Sequence, residues 1–105
     1  MTVQITIIGT GQIGASMGMA LGAQKDLFVR VGHDKDIRIA NRAKDSGALD
    51  RVDFNLPNSV ADANIVVLAL PLDQIHETLK VIAPELQTLR DLALAGLRAW
   101  NRIAG

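Results

Sequence analysis

Gly9, Gly11 and Gly14 stand in the run V-Q-I-T-I-I-G-T-G-Q-I-G, from Val3 to Gly14. A β-branched strand here runs straight into a G-x-G-x-x-G turn. Each glycine has its own task if the turn receives a pyrophosphate. The first permits a tight exit from the strand. The second lets backbone approach the phosphates with no Cβ in the way. The third lets the next helix pack close to the sheet. Thr10, Gln12 and Ile13 fill the turn between them. The following helix, expected over about Gln12 to Ala23, would aim free N–H groups and a positive dipole end at an anion.

Asp34 lies about 20 residues beyond Gly14, where an acid is expected to meet the adenosine ribose of a dinucleotide. Its carboxylate would accept two ribose hydroxyls and repel a 2′-phosphate, which favours NAD over NADP. Lys35 beside it softens that repulsion. The competing reading of H-D-K-D (His33 to Asp36) is a solvated turn. Leu70-Pro71-Leu72-Asp73 follows another apolar run. In an open parallel sheet, ligands bind outside the carboxyl ends of the strands, where strand order reverses. Leu70, Pro71 and Leu72 are therefore expected to line the same crevice. The alternative is a Pro-terminated strand with Asp73 as a helix N-cap.

Other reactive residue types are sparse. His33 and His76 are the two histidines, and neither has a partner at metal-ligand or acid–base spacing. No metal site and no catalytic residue are assigned. Ser16 has no nucleophile elbow around it and reads as a small packing residue. The chain has no cysteine, which excludes disulfides and thiolate metal sites.

Short apolar runs alternate with helical patterns, as in a parallel α/β sheet. Strands are expected at Val3–Ile8, Leu27–Val31, Arg51–Phe54 and Ile65–Leu70. Helices are expected from Asp36 to Gly47, with Asp36 as N-cap and Gly47 as stop, and from Asp73 to Ile82. Asn58 to Ala63 reads as a helical turn. Leu86, Leu89, Ala93, Leu97 and Trp100 recur at helical intervals, so Gln87 to Gly105 reads as an amphipathic helix. The expected fold is a doubly wound sheet of about four strands in the order 3-2-1-4, with a C-terminal helical tail.

The 105 residues suffice for one small domain, and 49% are hydrophobic, enough for a buried core. Aromatic residues are few (Phe28, Phe54 and Trp100), so that core must be aliphatic. Eleven basic residues balance eleven acidic ones. No nucleic-acid or membrane footprint is visible in that balance. The N-terminus enters a strand at once without a basic leader, so a cytoplasmic protein is expected.

The segments I-I-G-T-G-Q-I-G-A-S (Ile7 to Ser16), V-G-H-D (Val31 to Asp34) and A-D-A-N-I-V-V-L-A-L-P-L-D-Q-I (Ala61 to Ile75) carry a family resemblance. Together with V-I-A-P-E-L (Val81 to Leu86), they resemble the cofactor domain of prephenate and arogenate dehydrogenases. These belong to the 6-phosphogluconate-dehydrogenase-like Rossmann superfamily, with β-hydroxyacid dehydrogenases and deazaflavin-dependent NADP reductases. The resemblance implies an NAD(P)-dependent oxidoreductase of tyrosine biosynthesis. It implies Gly9, Gly11, Gln12, Ile13 and Gly14 at the pyrophosphate, Asp34 at the ribose, and Leu70, Pro71 and Leu72 beside the cofactor.

The resemblance ends near Leu86. The expected organisation is a dinucleotide-binding domain over 1–86 and a helix over 87–105. The family's catalytic residues have no counterpart in this sequence. A stand-alone NAD-binding or sensor module, or a remnant that binds no nucleotide, is the alternative. Without a fifth strand, Ile65–Leu70 would be an exposed apolar edge. A homodimer through that edge or through the tail helix is then expected.

Overall fold

The computed structural model describes residues 3–24 and 26–86, and the backbone of 91–94. The elements are β1 (Val3–Ile8), α1 (Gln12–Leu21), β2 (Phe28–His33), α2 (Ile37–Asp45), β3 (Arg51–Val52), α3 (Leu56–Ala61), β4 (Ile65–Leu68), α4 (Leu72–Ile82) and β5 (Asp91–Leu94). The strands form one sheet in the order β3-β2-β1-β4-β5, and every pairing is parallel. This is the Rossmann-type α/β arrangement, with the expected 3-2-1-4 order.

The β-branched run of β1 explains its central place. Successive side chains point to opposite faces, and both faces are covered. Ile5 and Ile7 join Ala43, Ala48, Leu49 and Val67 on one side, with Ala15 and Met17 of α1 packed against them. Ile8 joins Val60, Val66, Leu68, Ile75 and Ile82 on the other. Helices α1 and α2 thus cover one face, and α3 and α4 the other. Full burial of a side chain such as Ile7 (0% exposed) contributes about 1.5–3 kcal/mol.

Helix α2 starts and stops as its sequence predicts. The Asp36 side chain caps it by accepting from the Arg38 N–H at 3.0 Å. Gly47, at φ +91°, turns the chain out after it. Helix α3 begins earlier than the expected turn. Asn55 caps it, accepting from the Asn58 N–H at 2.8 Å, and Pro57 lies in its first turn, where the missing N–H costs nothing. Asp73 is not the N-cap of α4. Pro71 holds that position, and Asp73 lies within the first turn.

The main departure concerns the tail. Residues Asp91–Leu94 form a strand beside β4, pairing Ile65 with Asp91 and Leu68 with Leu94, where a helix was expected. The row of N–H and C=O groups on the outer edge of β4 needs partners, and this segment supplies them. Short apolar runs fit either period, so D-L-A-L is compatible with both. The exposed edge that motivated a dimer through β4 is therefore taken. The expected helix over the remainder of 87–105, and the dimer through it, lie outside the described residues.

One buried charge was not anticipated. Arg30, on β2, is 3% exposed. Its Nη1 donates to the carbonyls of Gly18 and Gly47, each at 2.8 Å. Its Nε and Nη2 reach the two carboxylate oxygens of Asp50 at 3.2 and 3.1 Å. The guanidinium thus ties α1, the turn after α2 and the approach to β3 into one unit, with every contact charge-assisted.

Candidate functional site

The chain leaves β1, β2 and β4 at the same end of the sheet, and the three exits converge there. The Gly9 N–H donates to the His33 carbonyl at 2.8 Å, and the Ala69 N–H donates to the Ile8 carbonyl at 2.8 Å. These bonds extend the ladders one residue past the strands and hold the exits together. Between them lies a crevice of about 320 Å³, walled by Ile8, Gly9, Gly11, His33, Asp34, Lys35, Leu56, Ala69, Leu70, Pro71, Gln74 and Thr78.

The glycines divide their tasks as the spacing suggests. Gly9 is at φ +91°, a region costly for other residues, and a Cβ on it would strike the Ala69 carbonyl oxygen. A Cβ on Gly14 would strike the Gly9 carbonyl oxygen, so Gly14 is what lets α1 start so close beneath the turn. Gly11 differs: a Cβ there would meet nothing within 4 Å. The protein itself therefore makes no use of the missing side chain at Gly11. The space opens onto the crevice.

The helix starts reinforce this. Helices α2 and α3 are capped by their own Asp36 and Asn55 side chains. Helix α1 starts at Gly11 with no side-chain cap. Its first N–H groups are free to meet an anion.

Asp34 does two jobs at once. Its Oδ2 accepts from the Thr10 N–H at 2.9 Å and from the Thr10 hydroxyl at 3.4 Å. Its Oδ1 accepts from the Asp36 N–H at 2.9 Å. A carboxylate has about four acceptor sites, so one remains, on Oδ1. The expectation of two ribose bonds is thus reduced to one beside an intact turn. The carboxylate that fastens the glycine turn also lines the crevice, so the turn reading does not exclude the ligand reading.

Of the other expected contacts, Lys35, Leu70 and Pro71 line the crevice. Thr10, Gly11 and Gln12 line an adjoining depression of about 360 Å³ between α1 and α2, with Ala15, Ile39, Arg42, Ala43 and Ser46. Ile13 is 40% exposed and Leu72 is 53% exposed. Neither is among the lining residues of the two cavities. The Ser16 hydroxyl donates to the Gln12 carbonyl at 2.7 Å, a bond within the helix. Among the described residues no group of acidic, histidine or cysteine side chains could hold a metal ion.

The sequence reading missed Leu56, Gln74 and Thr78 as wall residues. Gln74 and Thr78 are four apart on α4, hence on one face, and that face turns to the crevice. Their signal was the helical period counted from Pro71, read instead only for its apolar stripe. The short α3 brings Leu56 in from the other side.

The sequence of the family described as NADP oxidoreductase, coenzyme F420-dependent, matches residues 4–90. The chain belongs to this family, as an NAD(P)-binding domain of Rossmann type. No curated protein matches the chain. Among solved structures, it is similar to prephenate dehydrogenase from A. aeolicus in complex with hydroxyphenyl propionate and NAD+. The TM-score is 0.80 at 21% identity, over 91% of this chain and 34% of that one. Arogenate dehydrogenase from Synechocystis gives a TM-score of 0.70 at 24% identity, over 79% of this chain and 29% of that one. An imine reductase variant from Myxococcus stipitatus in complex with NAD+ gives 0.74 at 17% identity, over 100% and 38%. The chain spans between 29% and 38% of the length of these proteins. Among the described residues no helix is long and apolar enough to cross a membrane.

Proposed function

We propose that the crevice binds a nicotinamide dinucleotide, with NAD preferred over NADP. The chain would then be the cofactor-binding part of an oxidoreductase resembling prephenate and arogenate dehydrogenases. The turn from Gly9 through Thr10, Gly11, Gln12 and Ile13 to Gly14 takes the pyrophosphate on backbone N–H groups. The free acceptor site of Asp34 takes a ribose hydroxyl, with Lys35 beside it. Leu70 and Pro71 run alongside the cofactor from the far wall, with the exposed Leu72 next to them at its rim. When bound, the nicotinamide supplies a two-electron hydride acceptor or donor. The residues of this chain bind it, orient it and keep its base away from water.

The observation that carries this reading is the open space at Gly11. A glycine whose side-chain position meets no protein atom, at an uncapped helix start, leaves room for something that is not protein. The likeness to a prephenate dehydrogenase and an arogenate dehydrogenase and the matching segments support the narrower substrate class.

Gly11→Val tests the binding reading cleanly. Its backbone is extended, at φ −71° and ψ −154°, and a Cβ there meets no protein atom within 4 Å, so the variant is expected to fold, which circular dichroism checks. The branched side chain would fill the phosphate approach. Calorimetry is expected to show NAD+ affinity falling by at least about tenfold, or about 1.4 kcal/mol. Equal affinity in a folded variant would refute the site.

A further inference from the structure

Most of the crevice wall above the turn is apolar: Ile8, Leu56, Leu70 and Pro71. Three polar side chains interrupt it, His33, Gln74 and Thr78. None of the three spends its crevice-facing polar atoms on the protein. Among the described residues the Gln74 amide and the Thr78 hydroxyl make no hydrogen bond or ion pair. Pockets for small molecules are commonly apolar with a few placed polar groups that fix orientation.

His33 is the most constrained of them. It is 9% exposed, and its Nδ1 lies 2.9 Å from the Asp53 carbonyl oxygen. A carbonyl only accepts, so Nδ1 carries the hydrogen. In the neutral ring Nε2 is then a bare acceptor, and the ring cannot exchange tautomers without losing the Asp53 bond. No protein group meets Nε2. Among the described residues no buried side-chain nitrogen or oxygen lacks a partner. Nε2 is therefore the part of this ring that stays accessible, and the surface that His33 lines is the crevice. A fixed acceptor in an apolar wall selects for a donor.

Resting on the dinucleotide reading above, we propose that the crevice reads the base: His33 Nε2 accepts from the exocyclic amine of adenine, and Gln74 and Thr78 serve the neighbouring ring-edge positions. Adenine offers an amine donor beside ring-nitrogen acceptors. Hypoxanthine carries a carbonyl oxygen in place of that amine. Two lone pairs would then face each other at His33, whereas the Gln74 amide can turn to suit either base. Discrimination is thus assigned to His33 and general base affinity to all three.

The full chain is titrated by calorimetry with NAD+ and with nicotinamide hypoxanthine dinucleotide. The wild type is expected to bind NAD+ about tenfold tighter, the worth of one ordinary hydrogen bond. His33→Phe, checked for folding by circular dichroism, is expected to bind both alike. His33→Gln serves if the phenylalanine variant does not fold. Its amide keeps a polar group near the Asp53 carbonyl and can present either a donor or an acceptor, so it too should bind both alike. Equal wild-type affinities, or a preference that persists in the folded variants, would overturn base reading and leave the dinucleotide reading standing. A wild type that binds neither dinucleotide would overturn both.

Discussion

Replacing Asp34 by alanine should separate its two roles through two independent measurements. The carboxylate receives the Thr10 and Asp36 N–H groups, both at 2.9 Å. Bonds to a charged acceptor contribute about 1.5–3 kcal/mol each when buried. Asp34 is only half-buried, and water can replace part of each bond. A total destabilisation of about 2–4 kcal/mol is expected, a large share of the ~5–15 kcal/mol of a typical domain. Toward the ligand, loss of the single free acceptor site removes one charge-assisted bond, about 1.5 kcal/mol of NAD+ affinity. Toward NADP+, loss of the negative charge removes a repulsion of about 1–3 kcal/mol at 5 Å or more in an intermediate dielectric. Both changes narrow the NAD+/NADP+ affinity ratio, together by about 2.5–4.5 kcal/mol or roughly a hundredfold to a thousandfold. Partial unfolding does not confound this ratio. A reduced competent fraction weakens both apparent affinities equally and cancels. Urea denaturation gives the first quantity, and calorimetric titration with each dinucleotide gives the second. A lower urea midpoint with an unchanged ratio would mean that Asp34 serves the turn alone, and the specificity reasoning would be wrong.

Arg30→Met should be destabilising, by about 2–4 kcal/mol, because the Gly47 carbonyl loses its guanidinium donor, the Gly18 carbonyl keeps its Gly22 N–H but loses the guanidinium, and Asp50 loses its ion pair with the Arg30 side chain; a urea midpoint within error of wild type would contradict the clamp. Asp36 is held below its ordinary pKa, chiefly by the hydrogen bond with the Arg38 side chain and then by its bond to the Arg38 N–H. Its contribution is therefore present above the unfolded carboxylate pKa and is lost as pH falls through the lower folded value. Asp36→Asn keeps a capping oxygen but removes the titration, so its thermal midpoint should fall less steeply on acidification than that of wild type; parallel curves would assign the acid sensitivity elsewhere. The 105-residue chain alone is expected not to oxidise prephenate or arogenate, since a bound nicotinamide needs a positioned proton acceptor and a carboxylate clamp; NADH production by protein free of host enzymes would refute this.

The parts of the fold that were legible in the sequence are those decided locally. The run of β1 declares a strand covered on both faces. Asp36 and Gly47 bracket α2 because a capping oxygen and a positive φ are properties of single residues. Gly9 and Gly14 could be assigned distinct duties from spacing, and the structure gives each a separate steric reason. What was illegible depends on partners far along the chain. Arg30 carries no local sign of burial, which comes only from Gly18, Gly47 and Asp50 closing around it. D-L-A-L reads as a stretch of helix until the bare edge of β4 lies beside it. Asn55 and Pro57 carry a helix-start signal, a capping oxygen followed by a fixed φ, and α3 begins there rather than at Asn58.

Asp34 belongs to both groups, and it explains why a spacing rule can work at all. About 20 residues separate it from Gly14 because a helix must cross the sheet and a strand must return beside β1. That return is what brings the carboxylate against the Thr10 N–H. The acid is therefore placed by closure of the β1-α1-β2 unit before any ligand arrives. The glycine turn it fastens is the same turn proposed to receive the pyrophosphate. On the proposed reading, fold and site share one carboxylate, so a variant that loses the proposed ribose contact must also loosen the proposed phosphate cradle. This coupling predicts that substitutions at Asp34 weaken binding of the pyrophosphate half as well. ADP-ribose, which lacks the nicotinamide, and inorganic pyrophosphate, which lacks the ribose, distinguish the two effects. If Asp34→Ala weakens ADP-ribose while leaving competition by pyrophosphate untouched, the turn keeps its shape without Asp34, and the shared-carboxylate account fails.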